Sequence, residues 1–175
     1  MKLFIENWRK FMNEVEDYDD FATTQDEIQK SLDYFYQEHA PNKGKRKELG
    51  DWKGHKMVAF ELPEGDILFF AVDGSGRAKA YVGVAPFRES YAIGTVRKAH
   101  TEPRFSAAEL YMWLAERERF GGSLYSDKAQ TKGGKSIWAK FPELIEGEPP
   151  PSPLYKEKVP TEEDGEGKWR WRLTL

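Results

Sequence analysis

One short segment of the chain combines side chains that could act on a substrate with backbone that could hold an anion. A short apolar run ends in Ser126 and Asp127, and Thr131, Gly133 and Gly134 open a predicted helix. A carboxylate at the end of a strand could serve as a general base, and the uncovered amides of a helix start favour an anion. The same residues also fit a structural role, in which Asp127 or Thr131 caps the helix and the glycines allow close packing.

Three other titratable residues lie on or beside predicted loops near this segment: Glu89, His100 and Glu102. Any one of them could deprotonate an amine, and each alone is also typical of an exposed surface. We take Glu102, together with Ser126 and Asp127, as the candidate catalytic set. The chain has no cysteine and only three widely spaced histidines, so thiolate chemistry is excluded and no metal site is predicted.

Size and charge narrow the function classes. The 175 residues are 39% hydrophobic and 14% aromatic, enough for one domain with its own core. With 27 basic and 30 acidic residues, the formal charge of -3 offers no general attraction to nucleic acid or to an anionic membrane. The longest apolar run, residues 67–72, is far too short to span a membrane, and charges interrupt any signal-peptide core near the start. We expect a soluble, intracellular protein.

The beginning of the chain predicts a short amphipathic helix. Apolar residues recur there at helical spacing: Phe4, Trp8, Phe11 and Val15. We assign residues 1–20 to this helix and an acidic tether, and residues 21–175 to a domain. The helix either packs on the domain or docks to a protein partner. It resembles leaders of tailed-phage proteins, some of which direct proteins to the assembling capsid, so the expected location is host cytoplasm or virion.

A second helix is predicted to begin at Thr24, with Glu27 completing a capping box, and to end at Pro41. Residues 42–56 then form the only concentrated basic segment. Its cations outnumber its two acids: Lys43, Lys45, Arg46, Lys47, Lys53 and Lys56. A solvated loop explains this composition, and a phosphate-contacting loop with Trp52 available for stacking is the alternative.

The pattern then changes from helical to strand-like. Four alternating segments separated by turn-rich stretches predict an antiparallel meander: MVAFEL, ILFFAV, AKAYVGVA and YAIGTVRKA. The next segment, FSAAELYMWLAERERF, predicts a helix with Ser106 as N-cap and Gly121 as its stop. A short strand at 123–125, a helix from about Thr131 to Phe141, a proline-rich crossing and two final strands complete the chain.

This element order predicts how the strands are arranged. A strand, helix, strand step requires a crossover, and the usual right-handed crossover places the fifth predicted strand parallel to the fourth. We therefore expect an α/β fold with a mixed, mostly antiparallel sheet and helices on both faces.

The order, with the segments YAIGTVRKA, AAELYMWL, GGSLYSD and TKGGKSIWAKF, resembles the GNAT N-acetyltransferase superfamily over residues 21–175. The segment from Ser126 to Phe141 is also similar to small phage-encoded GNAT-like proteins. The resemblance implies a sheet that opens between its fourth and fifth strands, with acetyl-coenzyme A in the opening and a small-molecule or protein amine as acceptor. Neither nucleic acid nor a membrane is an expected partner.

The resemblance also implies which residues would hold the cofactor. The thioester would lie beside the fourth-strand residues Thr95, Val96, Arg97 and Lys98. The pyrophosphate would lie on the turn that contains Arg104, Phe105, Ser106 and Ala107, with Thr131, Gly133 and Gly134 at a second helix start. An Arg104→Ala change would then weaken coenzyme A binding roughly ten- to hundredfold.

Two positions depart from the family pattern. Residues 103–107 contain no glycine, and Trp138 stands where active members carry a tyrosine that protonates the leaving thiolate. The sequence therefore leaves three functions open. These are an acyltransferase, a GNAT-like binding or structural module without coenzyme A, and a weak nucleic-acid-binding protein that uses residues 42–56.

Overall fold

The computed structural model describes residues 24–38, 46–98, 106–117, 120–127, 130, 132–162 and 168–175. The predicted helix of residues 1–20 lies outside this part, as do Glu102, Arg104, Phe105 and Thr131. The described residues form three helices and eight strands. In chain order they are α1 Gln25–Glu38, β1 Arg46–Trp52, β2 His55–Glu61, β3 Ile67–Val72, β4 Ala78–Phe87, β5 Ser90–Lys98, α2 Ala107–Ala115, β6 Ser123–Tyr125, α3 Lys132–Trp138, β7 Tyr155–Pro160 and β8 Trp169–Thr174.

All eight strands belong to one sheet in the order β1-β2-β3-β4-β5-β6-β8-β7. Neighbours are antiparallel except β5 and β6, which are parallel. The α/β class and the mixed, mostly antiparallel sheet are therefore confirmed. At the β7 edge, the Lys156 amide donates to Pro142 O and the Leu144 amide donates to Lys156 O, each at 2.8 Å.

Strand β1 was not predicted. The prediction of a solvated loop is wrong for residues 46–52, which pair with β2 from Arg46 opposite Phe60 to Trp52 opposite His55. Most β1 side chains are exposed, so the strand shows no apolar alternation in the sequence. Its backbone ladder and cross-strand pairs hold it instead, including an ion pair between Lys47 and Glu61 at 2.8 Å.

The apolar core divides into two clusters. The α1 cluster joins Ile28, Leu32 and Phe35 of α1 to strand residues such as Phe60 and Phe70. The α2–α3 cluster joins those two helices to the following strand residues, among others: Met57, Ala59, Phe69, Leu124 and Leu173. Neighbouring residues such as Phe69 and Phe70 belong to different clusters because side chains along a strand alternate in direction.

The helix starts follow local hydrogen bonds that the sequence had indicated. The Thr24 amide donates to Glu27 Oε2 at 2.8 Å and the Glu27 amide donates to Thr24 Oγ1 at 3.3 Å, which confirms the capping box. Ser106 is the N-cap of α2, as predicted, and its Oγ accepts from the Glu109 amide. The confirmed caps fix where α1 and α2 begin.

The helix ends differ from the prediction. Helix α2 stops at Ala115 rather than near Gly121, because the Arg117 amide bonds to Leu114 O in a tighter turn. Helix α3 stops at Trp138, and a hydrogen-bonded turn continues to Phe141. No helix in the part of the chain that the structure describes is long and apolar enough to cross a membrane.

Candidate functional site

Strands β5 and β6 pair over a very short length. Within the described residues they pair at one position, Ala92 with Tyr125, and β5 then continues to Lys98 while β6 ends. The predicted parallel arrangement is confirmed, whereas the predicted divergence beyond Thr95 and Ser126 stays a prediction. We call the region between residues 93–98 and Ser126, where that divergence is expected, the β5–β6 opening. It lies beyond the carboxyl end of β6, where ligands of open α/β sheets bind.

Ser126 joins β6 to β8 and is fully buried, with 0% of its surface exposed. Its amide donates to Trp171 O at 2.8 Å, and its Oγ accepts from the Trp171 amide at 3.0 Å. The hydroxyl also donates to Asp127 O at 3.1 Å, and Arg170 Nη1 donates to Ser126 O at 3.0 Å. These contacts give Ser126 a structural role: its hydroxyl proton is donated to Asp127 O, its Oγ accepts from Trp171, and burial keeps it from solvent.

Asp127 follows the end of β6 and acts electrostatically on Tyr111 of α2. Burial of Tyr111, and secondly the charge of Asp127, raise the pKa of the Tyr111 hydroxyl, so this group stays neutral. The Tyr111 ring lies 5.7 Å from Trp138, which in turn packs on Phe141 at 5.9 Å. Asp127 is only partly buried, so its carboxylate could accept a proton from a group bound at the opening.

A second polar group lies at the closed end of the opening. The Tyr125 hydroxyl donates to Glu89 Oε1 at 2.5 Å, and Arg172 donates to Glu157 Oε1 through Nε at 3.0 Å and Nη2 at 2.6 Å. The positive charge of Arg172 acts on the Tyr125 hydroxyl and opposes the rise of its pKa, so the two pairs are electrostatically connected. The sequence indicated Glu89 alone. Tyr125 and Arg172 could have been found from the strand alternation in SLY and WRWRLT. This alternation places them on the face opposite to Leu124 and Leu173.

The hydrogen bond from Tyr125, with smaller contributions from backbone and neighbouring arginines, lowers the pKa of Glu89. Burial, and then donation to Glu89, raises the pKa of Tyr125. Glu89 is therefore ionised and Tyr125 neutral near pH 7. A carboxylate with a lowered pKa is a weak base, so this pair is better suited to fixing charge and position than to removing a proton.

The residues predicted to contact the cofactor lie in three places. Thr95, Val96, Arg97 and Lys98 all belong to the part of β5 beyond its pairing with β6. Ser106 and Ala107 form the start of α2. Gly133 and Gly134 lie inside the first turn of α3. The structure does not describe the remaining predicted contacts, Arg104, Phe105 and Thr131, nor the candidate catalytic residue Glu102.

The described cations of the basic segment are paired with carboxylates. Four ion pairs account for them: Arg46 with Glu48 at 2.7 Å, Lys56 with Glu48 at 2.9 Å, Lys47 with Glu61 at 2.8 Å and Lys53 with Glu109 at 2.5 Å. A hydrogen bond from Lys56 is the main cause that lowers the pKa of Glu48. Trp52 packs against Trp113 with ring centres 5.8 Å apart. The segment therefore offers little unpaired charge for phosphates.

Within the described ranges, no group of three or more acidic, histidine or cysteine residues could hold a metal ion. Models of known protein families give no match to the chain, and comparisons with curated proteins and with solved structures give none either.

Proposed function

We propose that this chain is a divergent GNAT-like acyltransferase that moves an acetyl group from acetyl-coenzyme A to an amine. The observation that carries the proposal is the single parallel pairing of Ala92 with Tyr125, beyond which β5 continues with no paired residue in β6. The chain order and the sheet order around it support the GNAT-like assignment, because a crossover helix joins these two strands and β8 lies between β6 and β7. The two apolar clusters support helices on both faces.

The residues at the opening fit a ligand with a narrow chain and an anionic end. Helix α2 begins at Ser106, and the positive end of its dipole favours phosphate there. The ammonium of Lys53 lies 2.5 Å from Glu109 in the first turn of α2, so a cation is already close to this helix start. When bound, coenzyme A would supply the activated thioester.

We assign the other roles in the reaction to residues of this chain. The carboxylate of Asp127 accepts a proton from the attacking amine, and the buried Tyr111 hydroxyl, whose pKa is raised by burial and secondly by Asp127, stays neutral. Ser126 is a positioning residue, because its contacts to Trp171 hold β6 against β8 where Asp127 leaves the strand. Glu102 remains a predicted alternative base.

A second candidate function is a binding or structural module of a phage that has lost coenzyme A. Trp138 favours it, because this residue is only 2% exposed and packs between Tyr111 and Phe141. It therefore contributes core packing at the position where active members of the family carry an acidic hydroxyl.

Titration calorimetry with acetyl-coenzyme A separates the two candidates. For the acyltransferase we expect saturable heat, a roughly ten- to hundredfold weaker affinity in Arg104→Ala, and unchanged affinity in Lys47→Ala, a cation at the β1 edge. Asp127→Asn should lower turnover of an amine panel more than affinity. Absence of heat at millimolar ligand from the folded protein would exclude the acyltransferase and leave the binding module.

A further inference from the structure

The edge formed by β7 and β8 carries lysine and tryptophan side chains on one face. Lys158 pairs with Trp171 and Lys156 with Leu173, and Trp169 follows at the next position of the same face. Leu173 belongs to the α2–α3 cluster, whereas Trp169 is 45% exposed. We call Lys156, Lys158, Trp169 and Trp171 the lysine–tryptophan surface. This surface lies on the same face of the sheet as the buried Leu173 and extends from there to the exposed Trp169.

The rings and the ammonium groups of this surface touch one another. The two indoles meet edge to face with centres 5.0 Å apart. Lys158 Nζ lies 5.0 Å from the Trp169 ring and 5.5 Å from the Trp171 ring, and Lys156 Nζ lies 4.5 Å from Trp171. Lys156 also donates to Trp138 O at 2.9 Å. Packing thus holds cationic and aromatic groups side by side, and one indole stays open to solvent.

The charge at this edge contrasts with that at β1. The described cations of β1 and its turn pair with carboxylates, whereas no carboxylate of the described residues forms an ion pair with Lys156 or Lys158. The adjoining segment 132–141 adds three exposed lysines, Lys132, Lys135 and Lys140, and contains no acid. An anion could therefore approach here without first displacing a protein carboxylate.

These groups together match one ligand chemistry, a planar base that carries phosphate. A base can stack on the exposed part of Trp169 while Lys158 meets the neighbouring phosphate. Lys156 is only 7% exposed and donates to Trp138 O, so further phosphates would meet the exposed lysines of segment 132–141. A ligand that reaches both Lys158 and those lysines is a polymer rather than a mononucleotide. An acidic peptide would use the lysines and leave the indoles without partners.

We propose that the lysine–tryptophan surface binds single-stranded nucleic acid, independently of any coenzyme A site. The sequence between β7 and β8 carries Glu162, Glu163, Asp164 and Glu166, so the interaction is weak and salt-sensitive. This location differs from residues 42–56, which the sequence had indicated, and lies at the opposite edge of the sheet.

Fluorescence anisotropy with labelled oligothymidylate and oligouridylate tests the proposal. Trp169→Ala should weaken binding about 5- to 100-fold, and Trp169→Phe should keep most of the affinity. Lys158→Gln should weaken binding and reduce the salt slope by about 0.7 for each phosphate that is no longer neutralised. Lys47→Gln is the matched control, because it removes the same charge at β1, and its affinity should stay within about twofold of wild type.

Circular dichroism establishes whether each variant is folded. If Trp169→Ala does not fold, the comparison of Lys158→Gln with Lys47→Gln tests the proposal. The proposal is overturned if folded wild type does not bind at low salt, if Lys47→Gln and Lys158→Gln weaken binding equally, or if Trp169→Ala binds as wild type does. Equal affinity for polyglutamate would indicate an acidic protein partner, and equal affinity for phosphatidylglycerol vesicles a membrane surface. Equally effective competition by uridine monophosphate would indicate a free nucleotide; each of these three results excludes the nucleic acid.

Discussion

The hydroxyl of Tyr125 donates a 2.5 Å hydrogen bond to the carboxylate of Glu89, across 36 residues of chain. This contact ties the β4–β5 turn to the only parallel strand pair of the described sheet. The ring of Tyr125 packs independently on Phe87, with centres 4.9 Å apart. The hydroxyl can therefore be removed without removing the packing, which makes its contribution measurable.

Tyr125→Phe should lower the free energy of unfolding by about 1 kcal/mol at pH 7, since Glu89 is exposed and water can replace part of the bond. The folded-state pKa of Glu89 lies below its ordinary value of 4.5. The stabilisation is thus fully present above pH 4.5 and is lost as the pH falls through the folded-state pKa. Urea unfolding at pH 7 and at pH 3 measures the difference, and a deficit as large at pH 3 as at pH 7 would contradict the assignment.

Lys53→Asn should stabilise the protein. Lys53 has a φ of 49° and is followed by Gly54 at 74°, a conformation that asparagine adopts more readily than lysine. The gain should be up to about 1 kcal/mol, or about 2 to 4 °C in melting temperature. The lost ion pair with Glu109 is exposed and contributes little. Lys53→Ala, which keeps the strain and loses the ion pair, should not gain. A lower melting temperature for the asparagine variant than for the alanine variant would refute this reading.

Ser126→Ala should destabilise the fold by about 1 to 3 kcal/mol, because the Trp171 amide loses its acceptor at a buried strand junction. Urea denaturation measures the change. Ser136→Ala, at an exposed position of α3, is the control and should stay within about 0.5 kcal/mol of wild type. Unfolding of Ser126→Ala at the wild-type urea concentration would show that the hydroxyl does not hold β6 to β8.

Phe35→Ala should cost about 3 to 5 kcal/mol, because this side chain is 2% exposed and its ring contacts Phe60 and Phe70. Lys30→Ala, on the exposed side of the same helix, should change stability by less than about 0.5 kcal/mol. Thermal unfolding compares both. Similar melting temperatures would mean that α1 does not anchor the fold.

Much of the fold could be predicted from local sequence patterns. The meander β2 to β5 and the helix caps at Thr24 and Ser106 depend on neighbours a few residues apart, and the sequence contains that information. Strand β1 could not be predicted in this way, because a charged edge strand has no apolar face to give it a period. It is held by its backbone ladder to β2, from Phe60 to His55, and the composition of β1 alone does not indicate this pairing.

The candidate site was predictable only in outline. The parallel pairing of β5 with β6 followed from the element order. A ligand site beside this pair stays a prediction. The role of Ser126 depends on Trp171, 45 residues away, and this pairing cannot be read from the serine itself. The lysine–tryptophan surface also requires the register of β7 against β8, which decides that Lys158 and Trp171 share a face.

The covered edge of β7 sets a limit on how copies of this chain could assemble. Lys156 already exchanges both backbone hydrogen bonds with Pro142 and Leu144, and Pro160 has no amide hydrogen. An incoming strand would find the Lys156 groups already paired at that edge, whereas no strand of the described residues covers the outer side of β1 at the other end of the sheet. Pairing of β1 with β1 of a second copy would use the same edge twice and give a closed two-fold pair. The head-to-tail pairing of β1 with β7, which is the kind of contact that builds filaments, is hindered at Lys156 and Pro160.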